Sequence, residues 1–145
     1  MLSNLKAATF EVLETMFYLF PETLEEGEVL PAKGPFLRSW VTIAGPQAIC
    51  MGLQVPQSLA RKMAANFLGT DEEEISQPEM EDILKETTNM MAGAFLSKME
   101  ASEAFKLQTP EAQWVAPEEQ KKELPVNRLR FDVDDELMEL FVKKG

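Results

Sequence analysis

Residues 78–100, PEMEDILKETTNMMAGAFLSKME, decide how this chain is organised. Placed on a helix at about 100° per residue, they separate into two faces. Met80, Ile83, Leu84, Thr87, Met90, Met91, Ala94 and Phe95 gather on one side, while Asp82, Glu86, Asn89 and Gly93 line the other at i, i+4, i+7 and i+11. The apolar side predicts a helix laid on a core. The polar stripe is narrow, and it presents an acid and an amide one turn apart. Helices are polar by default on a solvent face, so the stripe alone reads first as wet surface and only second as a site.

Outward from this helix, Ser76 is the expected N-cap, and the run 70–76, TDEEEIS, is an acidic connector that decorates the helix start. Toward the N-terminus, Ser3 caps an expected helix from about Asn4 to Phe20, apolar nearly all round and stopped by Pro21. A short apolar piece at 29–31 follows an acidic loop. FLRSWVTIA and QAICMGLQV, bounded by Gly34-Pro35 and broken by Gly45-Pro46, predict a β-hairpin. Pro56 fits the first position of a helix over Gln57 to Phe67, with Leu59, Met63, Ala64 and Phe67 inward and Gly69 at its end. Beyond the central helix, AFKLQTP predicts a short strand. EAQWVAPEEQKKELP reads as loop, leaving Trp114 in a loop. NRLRFDV and ELMELFVKK, joined at Asp134-Asp135, predict a second hairpin, with a helix over 134–143 as the competing reading; the Lys143-Lys144 end suits an exposed sheet edge.

The same order therefore occurs twice: long helix, short strand, hairpin. An offset of 72 places Glu14 over Glu86, Phe17 over Asn89 and Phe10 over Asp82. The expected fold is α+β, one domain over 1–145, with halves at about 1–70 and 71–145. Its long helices pack on a mixed, mostly antiparallel sheet.

Composition narrows the function. The chain of 145 residues is 45% hydrophobic, with nine Phe, nine Met and two Trp, which is enough for a packed core. The methionines at 80, 90 and 91 read as core filler and Trp40 as packing. A net charge of −11 argues against nucleic acid and anionic membrane partners and favours a partner with exposed basic groups. No apolar run is long enough for a membrane span, and early acids (Glu11, Glu14) do not suit a signal peptide, so a cytoplasmic location is expected. Cys50 is the only cysteine and reads as an inert buried side chain. Without histidine the commonest general base is missing, and no metal or cofactor site is expected. A self-contained small-molecule enzyme is hard to build from these parts.

The string D-x-x-x-E-x-x-N from Asp82 to Asn89, continued by MMAGAF and followed by Pro110, resembles the signature of the CheC/CheX/FliY chemotaxis phosphatases. The opening EVLETMFYLFPE is similar to the first helix of CheX-type members. The resemblance implies a two-component signalling hydrolase that removes the aspartyl phosphate of a CheY-like response-regulator receiver, which brings its own Mg²⁺. It implies that Asn89 orients the attacking water, that Glu86 pairs with a receiver lysine and that Asp82 contributes to docking. Gly93 on the same stripe leaves room for the partner.

In the first half Glu14 keeps the acid, but Phe17 replaces the amide and cannot orient a water. One working motif and one degenerate one is the CheX-like arrangement, which also implies a homodimer. The rival reading is a non-catalytic module that sequesters the phosphorylated receiver, or a diverged scaffold.

Overall fold

The computed structural model describes residues 2–31, 33–99, 105–120 and 127–144. Its elements in chain order are α1 (Leu2–Met16), β1 (Glu22–Thr23), β2 (Phe36–Ala44), β3 (Ile49–Pro56), α2 (Gln57–Leu68) and α3 (Gln77–Lys98). They continue with β4 (Lys106–Leu107), β5 (Glu111–Val115), α4 (Pro117–Gln120), β6 (Asn127–Val133) and β7 (Glu136–Lys144). Glu100, Ala104 and residues 121–125 of the expected helix end, strand and loop lie outside the described residues.

The two expected hairpins form and meet. β2 pairs with β3, β6 with β7, and β7 with β3, so the hairpins join through their second strands. The sheet order is β1-β6-β7-β3-β2-β4, with β5 also on β2. The short strand of each half thus edges the other half's hairpin: β1 on β6, β4 on β2. Every described pairing is antiparallel. Alternation along β2 sends Leu37, Val41 and Ile43 to one face, opposite Val55, Met51 and Ile49 of β3. That face forms the core with Met80, Leu84, Met91 and Phe95 of α3 and Leu5, Val12 and Leu13 of α1. The result is the expected α+β architecture, three helices against one sheet.

Several local expectations change. α1 stops at Met16 rather than Phe20. Leu13 accepts bonds from the backbone N–H groups of both Phe17 and Leu19, and Tyr18 turns out of the helix at φ 55°. Residues 17–20 gave the run its all-round apolar look. Without them α1 is one-sided, with Leu5, Ala8, Thr9, Val12 and Leu13 buried and Glu11 and Glu14 in solvent. Residues 29–31 form no strand; β1 lies earlier, at 22–23. Pro56 is the N-cap of α2 rather than its first helical residue, and Phe67 is partly exposed rather than buried. Gly69 ends α2 in the left-handed conformation as expected.

The segment expected as loop contains β5, which pairs with β2 from Phe36↔Val115 to Trp40↔Glu111. β7 is a central strand between β6 and β3, not an edge; Lys143 and Lys144 at its end pair with Cys50 and Ile49 of β3, past the last β6 partner, Val142. No helix among the described residues is long and apolar enough to cross a membrane.

Candidate docking and catalytic face

α3 carries the stripe, and its start is built to hold the helix in place. Ser76 accepts from the backbone N–H of Glu79 at 3.3 Å, and Glu79 accepts from the backbone N–H of Ser76 at 2.9 Å. This reciprocal pair is a capping box, with Pro78 in the first turn. Such a cap contributes about 1 kcal/mol. Both bonds from Ser76, the backbone one first and the hydroxyl second, hold the Glu79 carboxyl below its ordinary value. Arg61 of α2 ties the connector down by donating to the carbonyls of Ile75 at 2.7 Å and Glu72 at 3.3 Å.

Along α3 the buried residues are Met80, Ile83, Leu84, Thr87, Thr88, Met91, Ala92, Phe95 and Leu96. The core face is therefore wider than the sequence pattern suggests, taking in Thr88, Ala92 and Leu96. Thr87 and Thr88 enter it by returning their hydroxyls to the carbonyls of Ile83 and Leu84 at 2.7 and 2.9 Å. Met90 and Ala94 are half-buried at its margin.

Opposite this face, Asp82 and Glu86 are exposed, and Asn89 and Gly93 are half-buried. At i, i+3 spacing, Glu86 and Asn89 have Cβ atoms about 5–6 Å apart. Neither side chain makes a hydrogen bond or ion pair among the described residues, so both are free to meet another molecule. A Cβ built on Gly93 meets nothing within 4 Å.

Asn89 also borders a shallow open depression that the sequence pattern did not reveal. Its other walls are Ala44 and the segment from Lys106 to Pro110. The cause is a break in the sheet's edge. β4 pairs with Ile43 and Ala44, β5 takes over at Trp40, and the chain between them leaves the ladder at Thr109 and Pro110. Proline has no N–H to give the ladder, so a break there is expected. Gln108 closes the near side, its N–H donating to the Thr42 carbonyl at 3.0 Å. Pro110 was the one sequence signal for this feature.

The edge strand also grips α3. Trp114 of β5, on the helix side of the sheet opposite Leu37, donates its indole N–H to Glu81 at 3.0 Å. Lys98 at the end of α3 pairs with Glu11 of α1 at 3.5 Å. The helix bearing the stripe is thus fixed at its start, flank and end.

The corresponding positions of the first half are different in kind. Glu14 is exposed, but Phe17 lies beyond the end of α1 and is fully buried, its ring 5.5 Å from that of Phe67. Asn66 donates to the Phe17 carbonyl at 2.8 Å, which fixes that turn. Phe10 packs edge-on against Phe131 at 5.6 Å. Glu11 and Glu14 face solvent there, but the position matching Asn89 does not.

Among the described residues no group of three or more acidic, cysteine or histidine side chains could hold a metal ion. Cys50 is buried, and that burial pushes its thiol above the usual range, against a smaller opposing effect of Lys143.

Comparison with known proteins bears on this face. The family profile described as "Chemotaxis phosphatase CheX" matches residues 38–139, which include all of α3. No curated protein sequence matches the chain significantly. Among solved structures, the chemotaxis protein CheX from Vibrio vulnificus superimposes with a TM-score of 0.76 at 19% identity, over 97% of this chain and 95% of the other. CheX from Desulfovibrio desulfuricans gives 0.72 at 16% identity, over 99% and 97%. The CheX of a Borrelia burgdorferi CheX–CheY–BeF₃–Mg²⁺ complex gives 0.69 at 17% identity, over 97% and 95%. At these identities the structural likeness establishes the fold.

Proposed function

Because this chain belongs to the CheX family of chemotaxis phosphatases, we propose that it hydrolyses the aspartyl phosphate of a CheY-type receiver, with α3 as its docking and catalytic element. The observation that carries the reading is the free pair on one open face: Asn89 beside the depression, Glu86 one turn away. The Borrelia relative, seen with CheY and beryllofluoride, supports the class of partner.

An acyl phosphate is already reactive, so the catalyst has mainly to hold a water in line with the scissile bond. Positioning of this kind supplies several kcal/mol. A carboxamide suits it: the Asn89 oxygen accepts from the water, and its NH₂ donates to a phosphoryl oxygen. Being neutral, it adds no repulsion toward the phosphate. The water oxygen bonds to phosphorus, the bond from phosphorus to the aspartyl oxygen breaks, and the products are inorganic phosphate and the receiver's free carboxylate. Magnesium bound by the receiver neutralises phosphoryl charge. Glu86 bonds to a receiver lysine, a charge-assisted contact that sets the register, while Asp82 extends the acidic side and Gly93 gives clearance. The chain needs no histidine, metal or nucleophile of its own.

The test is the lifetime of the phosphate on a purified, phosphorylated receiver. Added catalytically, the protein shortens that lifetime, and Glu86→Lys raises the protein concentration needed. Binding to a beryllofluoride-activated receiver with no change in phosphate lifetime would instead establish a sequestering module.

A further inference from the structure

In a chain of net charge −11, the immediate surroundings of Asn89 are not uniformly acidic. Lys85 lies one turn before Asn89 on α3, on the flank that turns toward β5; Glu81, one turn earlier on that flank, is the residue that Trp114 holds. Lys106, exposed on the edge strand β4, lines the depression beside Asn89. Among the described residues neither lysine forms a salt bridge, whereas Lys62 and Lys98 are both paired. The stripe itself carries Asp82 and Glu86. Among the described residues, Asn89 therefore stands where an acidic line meets two cations that form no salt bridge.

We propose that Lys85 and Lys106 form an electropositive flank that draws in the phosphoryl side of the receiver and orients it onto Asn89. This rests on the phosphatase reading and extends it to how the partner is recognised. A receiver presenting an acyl phosphate and, beside it, a lysine is a dipole. Its negative end fits the Lys85–Lys106 flank and its positive end fits Asp82 and Glu86. Wrong orientations then bring like charges together, so the surface selects a pose during encounter rather than adding a large net affinity. The flank also offsets the repulsion that an acidic protein exerts on a phosphorylated one. Neither lysine is asked to touch the reacting atoms.

Stopped-flow association with a beryllofluoride-activated receiver tests this, at roughly 0.02 M and 0.3 M salt. Lys85→Glu combined with Lys106→Glu lowers the association rate constant about tenfold at low salt, and the deficit shrinks at high salt as charges are screened. Lys62→Glu is the control, since Lys62 pairs with Asp134 at the opposite end of β7 from the Ile49↔Lys144 register, away from β4. It makes an equal change per site and leaves the rate within about twofold. Lys85→Gln and Lys106→Gln give intermediate losses, and thermal unfolding shows that each variant is folded. Glu variants that associate as fast as the control, or a deficit unchanged by salt, overturn the proposal.

Hydrolysis is read separately under saturating receiver. If wild type accelerates phosphate loss while the Glu variants bind normally, the flank is wrong and the phosphatase stands. If wild type binds with the expected charge dependence but leaves the phosphate intact, the phosphatase is wrong and the flank stands. Absence of binding by wild type overturns both.

Discussion

The indole N–H of Trp114 donates to the carboxylate of Glu81 at 3.0 Å, linking edge strand β5 to the helix that carries Asp82, Glu86 and Asn89. This bond crosses from sheet to helix immediately before the polar stripe begins. Hydrogen bonds to charged groups contribute about 1.5–3 kcal/mol. Trp114→Phe keeps most of the ring's packing and loses the donor. It is expected to destabilise the protein by about 1–2 kcal/mol in urea unfolding. Combined with Glu81→Ala, which removes the acceptor, the two losses should be clearly less than additive, and simple additivity would show that the bond does not hold the helix.

Gly93 separates stability from docking. Its position mid-helix costs about 0.5–1 kcal/mol relative to alanine, and a Cβ there meets nothing within the chain. Gly93→Ala should therefore raise the unfolding temperature. If the partner approaches closely over this glycine, the same change weakens binding of an activated receiver by about tenfold, or ~1.4 kcal/mol. A variant that is more stable and binds equally well would remove Gly93 from the interface.

The first-half position is closed to repair. Phe17 is fully buried past the end of α1, against Phe67 and Leu13. Phe17→Asn, which writes the missing amide into the matching sequence position, removes a core ring and buries a polar group. The expected cost is about 3–5 kcal/mol, measured by urea unfolding, with no gain in phosphatase rate. A second activity appearing in this variant would mean that residue 17 can reach the surface.

Much of this was legible in the sequence, and the failures have identifiable causes. The start of α3 was readable because Ser76 and Glu79 form a local cap that needs no distant partner. The hairpins were readable because alternation along β2 and the paired turn at Asp134-Asp135 are local too. The end of α1 was not, since Phe17 and Leu19 are buried and would look equally apolar inside a helix or beyond one. β5 was missed because its stability comes from β2, more than seventy positions earlier. The depression was invisible for the same reason: it exists only where Asn89 meets a break in a distant edge strand. The stripe's residues could be listed from periodicity, but its surroundings required the fold.

Acid should loosen the start of α3. The Glu79 carboxyl is depressed by its bonds from Ser76, so the folded state prefers it ionised. The sign follows directly: this contribution is present above the ordinary glutamate value and is lost as pH falls through the lowered one. Glu79→Gln can keep the capping geometry without titrating. Amide hydrogen exchange at Glu79 and Met80, followed between neutral pH and that acidic window and corrected for intrinsic exchange, should speed up in wild type more than in Glu79→Gln. Equal acceleration in both would show that other carboxylates govern the region.

The most direct measurement concerns Asn89. The decay of phosphate on a phosphorylated receiver is followed at saturating concentrations of wild type and of Asn89→Ala, with binding to the beryllofluoride-activated receiver measured alongside. The variant should bind within about threefold of wild type, because Glu86 and the rest of the stripe remain. Its hydrolysis at saturation should fall by about 100-fold or more, the loss expected when an in-line water is no longer held. Hydrolysis that continues near the wild-type rate with the amide removed would contradict the assignment of catalysis to this residue.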